Sequence, residues 1–106
     1  MTMKKDDFVS VILPCYNESG NIILLIEAIH KELSFCEHQI IVVDDNSPDG
    51  TYDLVKNKNY DFVKTFLRTS EPSLAKSIRR GLEEVDGDII IVMDSDFNHQ
   101  PKYLPM

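Results

Sequence analysis

The sequence has few glycines, and none of them lies in a glycine-rich segment. Four glycines occur among 106 residues. None forms the strand-to-helix turn whose backbone N–H groups hold a pyrophosphate in dinucleotide-binding and P-loop proteins. We therefore expect neither of those two kinds of phosphate site.

Positive charge is also scarce. Eleven Lys and Arg residues stand against eighteen Asp and Glu residues, which gives a formal net charge of -7. This balance disfavours non-specific attraction to nucleic acid or to an anionic membrane, so no nucleic-acid partner is expected. An anionic ligand would need local help from a metal ion or from a few well-placed cations.

Cysteines and long apolar segments are sparse as well. The two cysteines, Cys15 and Cys36, lack the spacing of zinc ligands, and no secretion signal precedes them. The longest uncharged apolar runs, residues 22–26 and 89–93, are far shorter than the roughly 20 residues of a membrane-spanning helix. These features predict reduced thiols, a cytoplasmic location and no transmembrane helix.

Four apolar runs rich in β-branched residues predict four buried strands, at residues 8–13, 40–43, 62–67 and 89–93. Their continuous hydrophobicity indicates a sheet that is covered on both faces. Helical spacing predicts one helix over residues 22–33 with Ser19 as its N-cap, and a short helix at 51–56. A third helix is predicted from about Ser73, with its apolar stripe marked by Leu74, Ile78, Leu82 and Val85. Strands that alternate with helices predict an α/β fold, a Rossmann-like parallel sheet with helices on both faces.

In such sheets, ligands bind beyond the carboxyl ends of the strands. The first strand is followed by a proline and three polar residues, the second by two aspartates, the third by an arginine and the fourth by an acidic triplet. These candidate site residues are Pro14, Tyr16, Asn17, Glu18, Asp44, Asp45, Arg68, Asp94, Ser95 and Asp96.

The chain contains two Asp-x-Asp triplets, which differ in position. The triplet of Asp86 and Asp88 precedes the fourth apolar run and is typical of a solvated turn. The triplet of Asp94 and Asp96 follows that run and suits Mg²⁺ or Mn²⁺, which would bridge the acidic edge to a diphosphate. One carboxylate of the pair Asp44 and Asp45 could accept hydrogen bonds from a nucleobase or ribose. Alternatively, residues 44–50 are rich in turn formers and could simply connect the second strand to its helix.

Three segments, residues 9–18, 41–51 and 87–96, resemble the inverting family 2 glycosyltransferases with a GT-A fold. The resemblance is closest to the dolichol-phosphate (polyprenol-phosphate) mannose synthases. It implies that Pro14, Tyr16 and Glu18, with Asn17 beside them, line a nucleotide pocket. It also implies that Asp45 and the backbone around Val43 hold the base.

The resemblance further implies a metal site and a reaction. Asp94 and Asp96 would bind Mg²⁺ or Mn²⁺ and the diphosphate, with Ser95 beside them and Asn98 as a further metal ligand. The placement of Arg68 just past the third strand makes it another donor-site candidate. The implied reaction transfers mannose from GDP-mannose, or another sugar from a UDP-sugar, to a polyprenyl phosphate with inversion.

The sequence departs from this family in two respects. It has residues 73–76, Ser-Leu-Ala-Lys, where such synthases carry Gly-Leu-Gly, and it stops ten residues after Asp96. We therefore expect residues 1–106 to be the nucleotide-sugar-binding N-terminal part of a GT-A domain, truncated after the Asp-x-Asp motif. Because the acceptor half and its catalytic base are missing, we expect no activity from these residues alone and some self-association through uncovered apolar surface. The full-length enzyme is expected at the cytoplasmic face of a membrane.

Two alternatives remain. The chain could be a non-catalytic, nucleotide-binding remnant of a glycosyltransferase. Residues 40–46 also resemble the acidic strand end of a receiver-like phosphoacceptor domain. That domain would have to begin near Gln39 and would leave the segment from Pro14 to Glu18 unexplained.

Overall fold

The computed structural model describes residues 3–93, which form alternating strands and helices in the predicted order. The strands are β1 (Phe8–Cys15), β2 (Glu37–Asp44), β3 (Val63–Leu67) and β4 (Ile89–Val92). The helices are α1 (Ile22–Glu32), α2 (Thr51–Lys58) and α3 (Leu74–Leu82). No helix among these residues is long and apolar enough to cross a membrane.

All four strands run parallel in one sheet, in the order β3-β2-β1-β4. β1 pairs with β2 along its whole length, from Phe8 opposite Glu37 to Cys15 opposite Asp44. After β3 the chain returns to the other side of β1, where Val9 pairs with Ile89. The strand order therefore reverses beside β1, and parallel sheets bind their ligands at the carboxyl ends of strands at such a reversal.

Helices cover both faces of the sheet, as the continuous apolar strands predict. Alternate strand residues point to opposite faces. The face under α1 and α2 includes Val9, Val11, Leu13, Ile40 and Val42, all fully buried. The face under α3 includes Ile12, Ile41 and Val43, which are also fully buried. The predicted fold class is confirmed.

The third helix packs differently from the expectation. Its apolar residues Leu74 and Leu82 are 59% and 46% exposed, whereas its buried residues are Ser77 and Gly81. A Cβ atom on Gly81 would lie 2.6 Å from Cγ2 of Ile12. The helix therefore lies very close to the sheet, and only small side chains fit in between.

A buried polar cluster holds the chain at the start of β4. The Ser10 hydroxyl donates to Oε1 of Gln39 at 2.6 Å. The N–H groups of Asp86 and Gly87 donate to Gln39 Oε1 and Ser10 Oγ, at 2.7 and 2.9 Å. This cluster fixes the position at which β4 joins β1.

Part of the apolar surface of β4 is uncovered among the described residues. Ile90 and Val92 are 48% and 43% exposed. α3 lies against β1 and β2. Self-association through this surface stays a prediction.

Candidate functional site

Two loops at the carboxyl edge of the sheet are tied together by hydrogen bonds. Three successive N–H groups of the β1–α1 loop donate to side chains of the β2–α2 loop and of the first residue of α2. The bonds run from Asn17 to Ser47 Oγ (2.8 Å), from Glu18 to Thr51 Oγ1 (3.1 Å) and from Ser19 to Asp49 Oδ2 (3.1 Å). Because the bonds join residues about thirty positions apart, the two loops form one surface.

This arrangement overturns one local prediction. Ser19 does not cap α1, because Asn21 occupies the N-cap position and no side chain accepts a hydrogen bond there. A turn precedes the helix, in which the carbonyl of Glu18 accepts hydrogen bonds from the N–H groups of Asn21 and Ile22 at 3.0 and 2.8 Å. α1 therefore begins after a turn closed by backbone hydrogen bonds and not by a capping side chain.

Asp49 supports the same loop junction. Its Oδ1 accepts hydrogen bonds from the Thr51 hydroxyl at 2.5 Å and the Thr51 N–H at 3.1 Å. Burial raises the pKa of Asp49, but the hydrogen bonds from Thr51 and Ser19 outweigh this effect and lower the pKa below its usual value. The carboxylate that holds the two loops together is therefore ionised at neutral pH.

The two aspartates that follow β2 have different surroundings. Asp44 is fully buried, and its carboxylate accepts from the N–H of Ser47 at 2.9 Å and from the Ser47 hydroxyl. This residue therefore stabilises the turn, in agreement with the turn interpretation of the segment. Asp45 is the aspartate whose side chain lines a cavity.

Asp45 joins three parts of the fold. One carboxylate oxygen accepts from the guanidinium of Arg68, in an ion pair whose side chains are 8% and 10% exposed. The other oxygen accepts from the N–H of Ser73 at 2.8 Å, at the start of α3. Arg68 also donates to Ser70 Oγ at 2.9 Å and to the carbonyl of Glu71 at 3.3 Å. The orientation of the Asp45 carboxylate is therefore fixed and its charge is compensated.

The cavity lies between the ends of β1 and β2 and the start of α3, and its volume is about 500 Å³. This is within the range of small-molecule sites. Tyr16 is 51% exposed, so its ring is open to solvent. The residues that line the cavity are Pro14, Cys15, Tyr16, Asp45, Pro72, Ser73, Leu74 and Ser77.

The structure brings together only some of the residues expected at the site. Pro14, Tyr16 and Asp45 line the cavity. Arg68 does not line it but forms an ion pair with Asp45. Val43 lies in the core beneath α3 and does not line the cavity with its side chain.

Asn17 and Glu18 are also outside the cavity wall. Their backbone N–H groups tie the two loops together. The Glu18 carboxylate accepts from the side-chain amide of Asn21 at 3.4 Å. Binding roles for these two residues remain predictions.

The predicted metal ligands Asp94, Asp96 and Asn98, and the neighbouring Ser95, lie outside the described residues. Within residues 3–93, no cluster of three or more His, Cys, Asp or Glu side chains could hold a metal ion. The N–H of Met93 donates to the carbonyl of Ile12 at 3.0 Å. β4 therefore ends beside β1 at the cavity edge of the sheet.

Five residues of the cavity wall were missed by sequence reasoning: Cys15, Pro72, Ser73, Leu74 and Ser77. Four of them, Pro72, Ser73, Leu74 and Ser77, fall on or next to the segment at residues 73–76 that stands where the mannose synthases carry Gly-Leu-Gly. Ser73 is the N-cap of α3, and Ser77 lies four positions further along, in the first turns of the helix. Two short polar residues at that spacing, on a helix that follows a strand, were the available signal.

The parallel sheet and the cavity at its carboxyl edge define an α/β domain with a ligand site at the strand-order reversal. Residues 10–106 match glycosyl transferase family 2, and the chain belongs to this family. It is 40% identical over 98 residues to a dolichol-phosphate mannosyltransferase of Pyrococcus furiosus, covering 92% of this chain and 28% of that protein. It is 33% identical over 102 residues to the dolichol-phosphate mannosyltransferase of Saccharomyces cerevisiae, covering 91% of this chain and 38% of that protein.

Solved structures show the same architecture. The mannosyltransferase PcManGT from Pyrobaculum calidifontis, solved in complex with GDP-Man and Mn²⁺, superimposes with a TM-score of 0.77 at 27% identity, over 86% of this chain and 28% of that one. TarS of S. aureus superimposes with a TM-score of 0.71 at 28% identity, over 89% of this chain and 28% of that one. The chain thus spans about a third of the length of its relatives.

The receiver-like alternative does not fit these findings. It would exclude β1, yet β1 is the strand that pairs with both β2 and β4. The family match also begins at residue 10, well before Gln39. The resemblance to family 2 glycosyltransferases is confirmed.

Proposed function

We propose that residues 1–106 are the nucleotide-sugar-binding N-terminal part of a GT-A mannosyltransferase domain. In the whole protein, this part binds GDP-mannose for transfer of mannose to a polyprenyl phosphate with inversion. The observation that carries the proposal is the cavity at the strand-order reversal, where Pro14, Tyr16 and Asp45 meet in a family 2 chain. The mannosyltransferase relatives and the GDP-Man complex of PcManGT support this choice of donor.

The nucleoside occupies the cavity in this proposal. The half-exposed ring of Tyr16 offers a flat apolar surface for a base or ribose. The Asp45 carboxylate is held by Arg68 and Ser73, so it is already oriented when the ligand arrives. A side chain that is ordered in advance loses little conformational entropy on binding.

The diphosphate lies toward the end of β4 in this proposal, where Asp94, Asp96 and Asn98 follow along the chain. Two carboxylates and an amide are the hard oxygen ligands that Mg²⁺ and Mn²⁺ prefer. When bound, the metal neutralises charge on the departing nucleoside diphosphate. The Mn²⁺ in the PcManGT complex supports this assignment. A cytoplasmic location of the protein is part of the same proposal.

Calorimetric titration of the protein with GDP and with UDP, in Mn²⁺ and in EDTA, tests the proposal. We expect GDP to bind in Mn²⁺ and to lose most of its affinity in EDTA, because the chain has no glycine-rich phosphate loop to hold the anion. Equal affinity in EDTA would contradict the metal bridge.

Two aspartate variants test the location of the nucleoside. Asp45→Asn should weaken GDP binding, whereas Asp86→Ala should leave it unchanged. Asp86 lies at the opposite end of the sheet, in an exposed ion pair with Lys64 at 3.1 Å, and such pairs contribute little to stability. Because Asp45 also holds the start of α3, the circular dichroism spectrum of Asp45→Asn must match that of the parent. Equal losses in both variants would show that the nucleoside binds elsewhere.

A further inference from the structure

The hydroxyl of Ser77 is a buried polar group without a hydrogen-bond partner in the described part of the chain. Ser77 is 1% exposed, and its Oγ is buried and makes no hydrogen bond. A helical serine often donates to the carbonyl four residues before it. The Ser77 hydroxyl makes no such bond here; the carbonyl of Ser73 accepts the backbone N–H of Ser77 at 3.0 Å, as in any α-helix. A buried hydroxyl without a partner costs stability, so its presence requires an explanation.

The position of Ser77 explains why its hydroxyl has no partner, because the residue lines the cavity together with Asp45 and Ser73. Both oxygens of the Asp45 carboxylate already accept hydrogen bonds, from Arg68 and from the Ser73 N–H. The Ser73 hydroxyl accepts from the N–H of Lys76 at 3.2 Å. Of these polar side chains on the α3 side of the cavity, the Ser77 hydroxyl is the one that has no hydrogen bond.

We propose that the Ser77 hydroxyl is a nucleobase-recognition contact, which hydrogen-bonds a polar group on the edge of the base in the donor site. This inference rests on the function proposed above. The wall around Ser77 includes Pro72 and Leu74, which suit the apolar face of a base. Among the described residues, the cavity wall includes no Lys, Arg or His side chain that would favour a phosphate at this position. A hydroxyl both donates and accepts hydrogen bonds, so the contact serves the carbonyl and N–H groups of guanine or uracil.

The variant Ser77→Ala gives two readouts that should change in different directions. The affinity for GDP in Mn²⁺ should fall by about threefold to tenfold, the loss typical of one hydrogen bond. The melting temperature without nucleotide should stay the same or rise, because the substitution removes a buried hydroxyl that has no partner. The matched control is Ser34→Ala, which makes the same chemical change at an exposed residue in the turn after α1 and should alter neither quantity.

The outcomes separate this inference from the proposed function. If the parent protein binds neither GDP nor UDP, the proposed function fails and the inference fails with it. If the parent binds GDP and Ser77→Ala binds it equally well, the inference alone is overturned. It is also overturned if Ser77→Ala lowers both the GDP affinity and the nucleotide-free melting temperature, because the hydroxyl would then act in packing.

Discussion

Gly81 permits the close contact between α3 and the sheet, and replacing it with alanine should destabilise the protein. A Cβ at this position would lie 2.6 Å from Cγ2 of Ile12 and 3.3 and 3.4 Å from its Cγ1 and Cδ1. Favourable carbon–carbon contacts lie at roughly 3.5 to 4.0 Å. Ile12 is fully buried, and its branched Cβ restricts rotation about χ1, so it cannot readily move aside. The added methyl group must therefore push α3 away from β1.

Two opposing contributions set the size of the effect. Inserting a methyl group into a well-packed core costs about 1 to 3 kcal/mol. Alanine is more favourable than glycine inside a helix by about 0.5 to 1 kcal/mol. The net loss for Gly81→Ala is therefore about 1 kcal/mol, which lowers the melting temperature of a domain of this size by roughly 4 to 8 °C. Helix propensity alone predicts the opposite sign.

Thermal and urea unfolding of Gly81→Ala measure this loss, with Gly20→Ala as the matched control. No atom lies within 4 Å of a Cβ built on Gly20, so that variant should be as stable as the parent. The GDP affinity of Gly81→Ala should also fall, because α3 carries Ser77 and begins just after Ser73 in the cavity wall. A Gly81→Ala protein as stable as the parent would refute the close packing of α3 on Ile12.

Two further predictions concern residues away from the cavity, His30 and Ser10. Burial and the neighbouring His38, whose Nε2 lies 2.7 Å from Nδ1 of His30, lower the pKa of His30. The folded state therefore favours the neutral ring, so this contribution to stability is complete above about pH 6.5 and is lost as the pH falls below it. Between about pH 7.5 and 5.5, the melting temperature of His30→Gln should fall less than that of the parent. An equal fall in both proteins would contradict this reasoning. Ser10→Ala should lower the free energy of unfolding in urea by about 1 to 3 kcal/mol, because it removes the acceptor of the Gly87 N–H and the donor to Gln39. Unchanged stability would contradict a structural role for the buried polar cluster of Ser10 and Gln39.

The alternation of strands and helices followed from the sequence alone. Continuous apolar runs can be buried only when both faces of a sheet are covered, and this requirement predicts the parallel α/β fold. The start of β2 was less accessible to sequence reasoning. Gln39 is polar and precedes the apolar run, yet it is buried because Ser10 and the Asp86 N–H provide hydrogen bonds. Those partners come from distant parts of the chain.

The buried face of α3 was decided by tertiary structure. Hydrophobicity favoured Leu74 and Leu82 as buried residues, but the short distance between the helix and the sheet admits only Ser77 and Gly81. A periodicity argument ranks residues by polarity and contains no information on that distance. The existence of the helix was therefore predictable from sequence, and its orientation was not.

The candidate site also has a part that the sequence predicts and a part that it does not. Pro14, Tyr16 and Asp45 could be assigned to one edge from sequence, because parallel strands bring their carboxyl ends together. The path of the chain from β3 to α3 decides two other features of the site. It brings Arg68 into an ion pair with Asp45, and it places Ser77 in the cavity wall. That path is set by contacts between residues more than twenty positions apart, so only the tertiary structure could determine it.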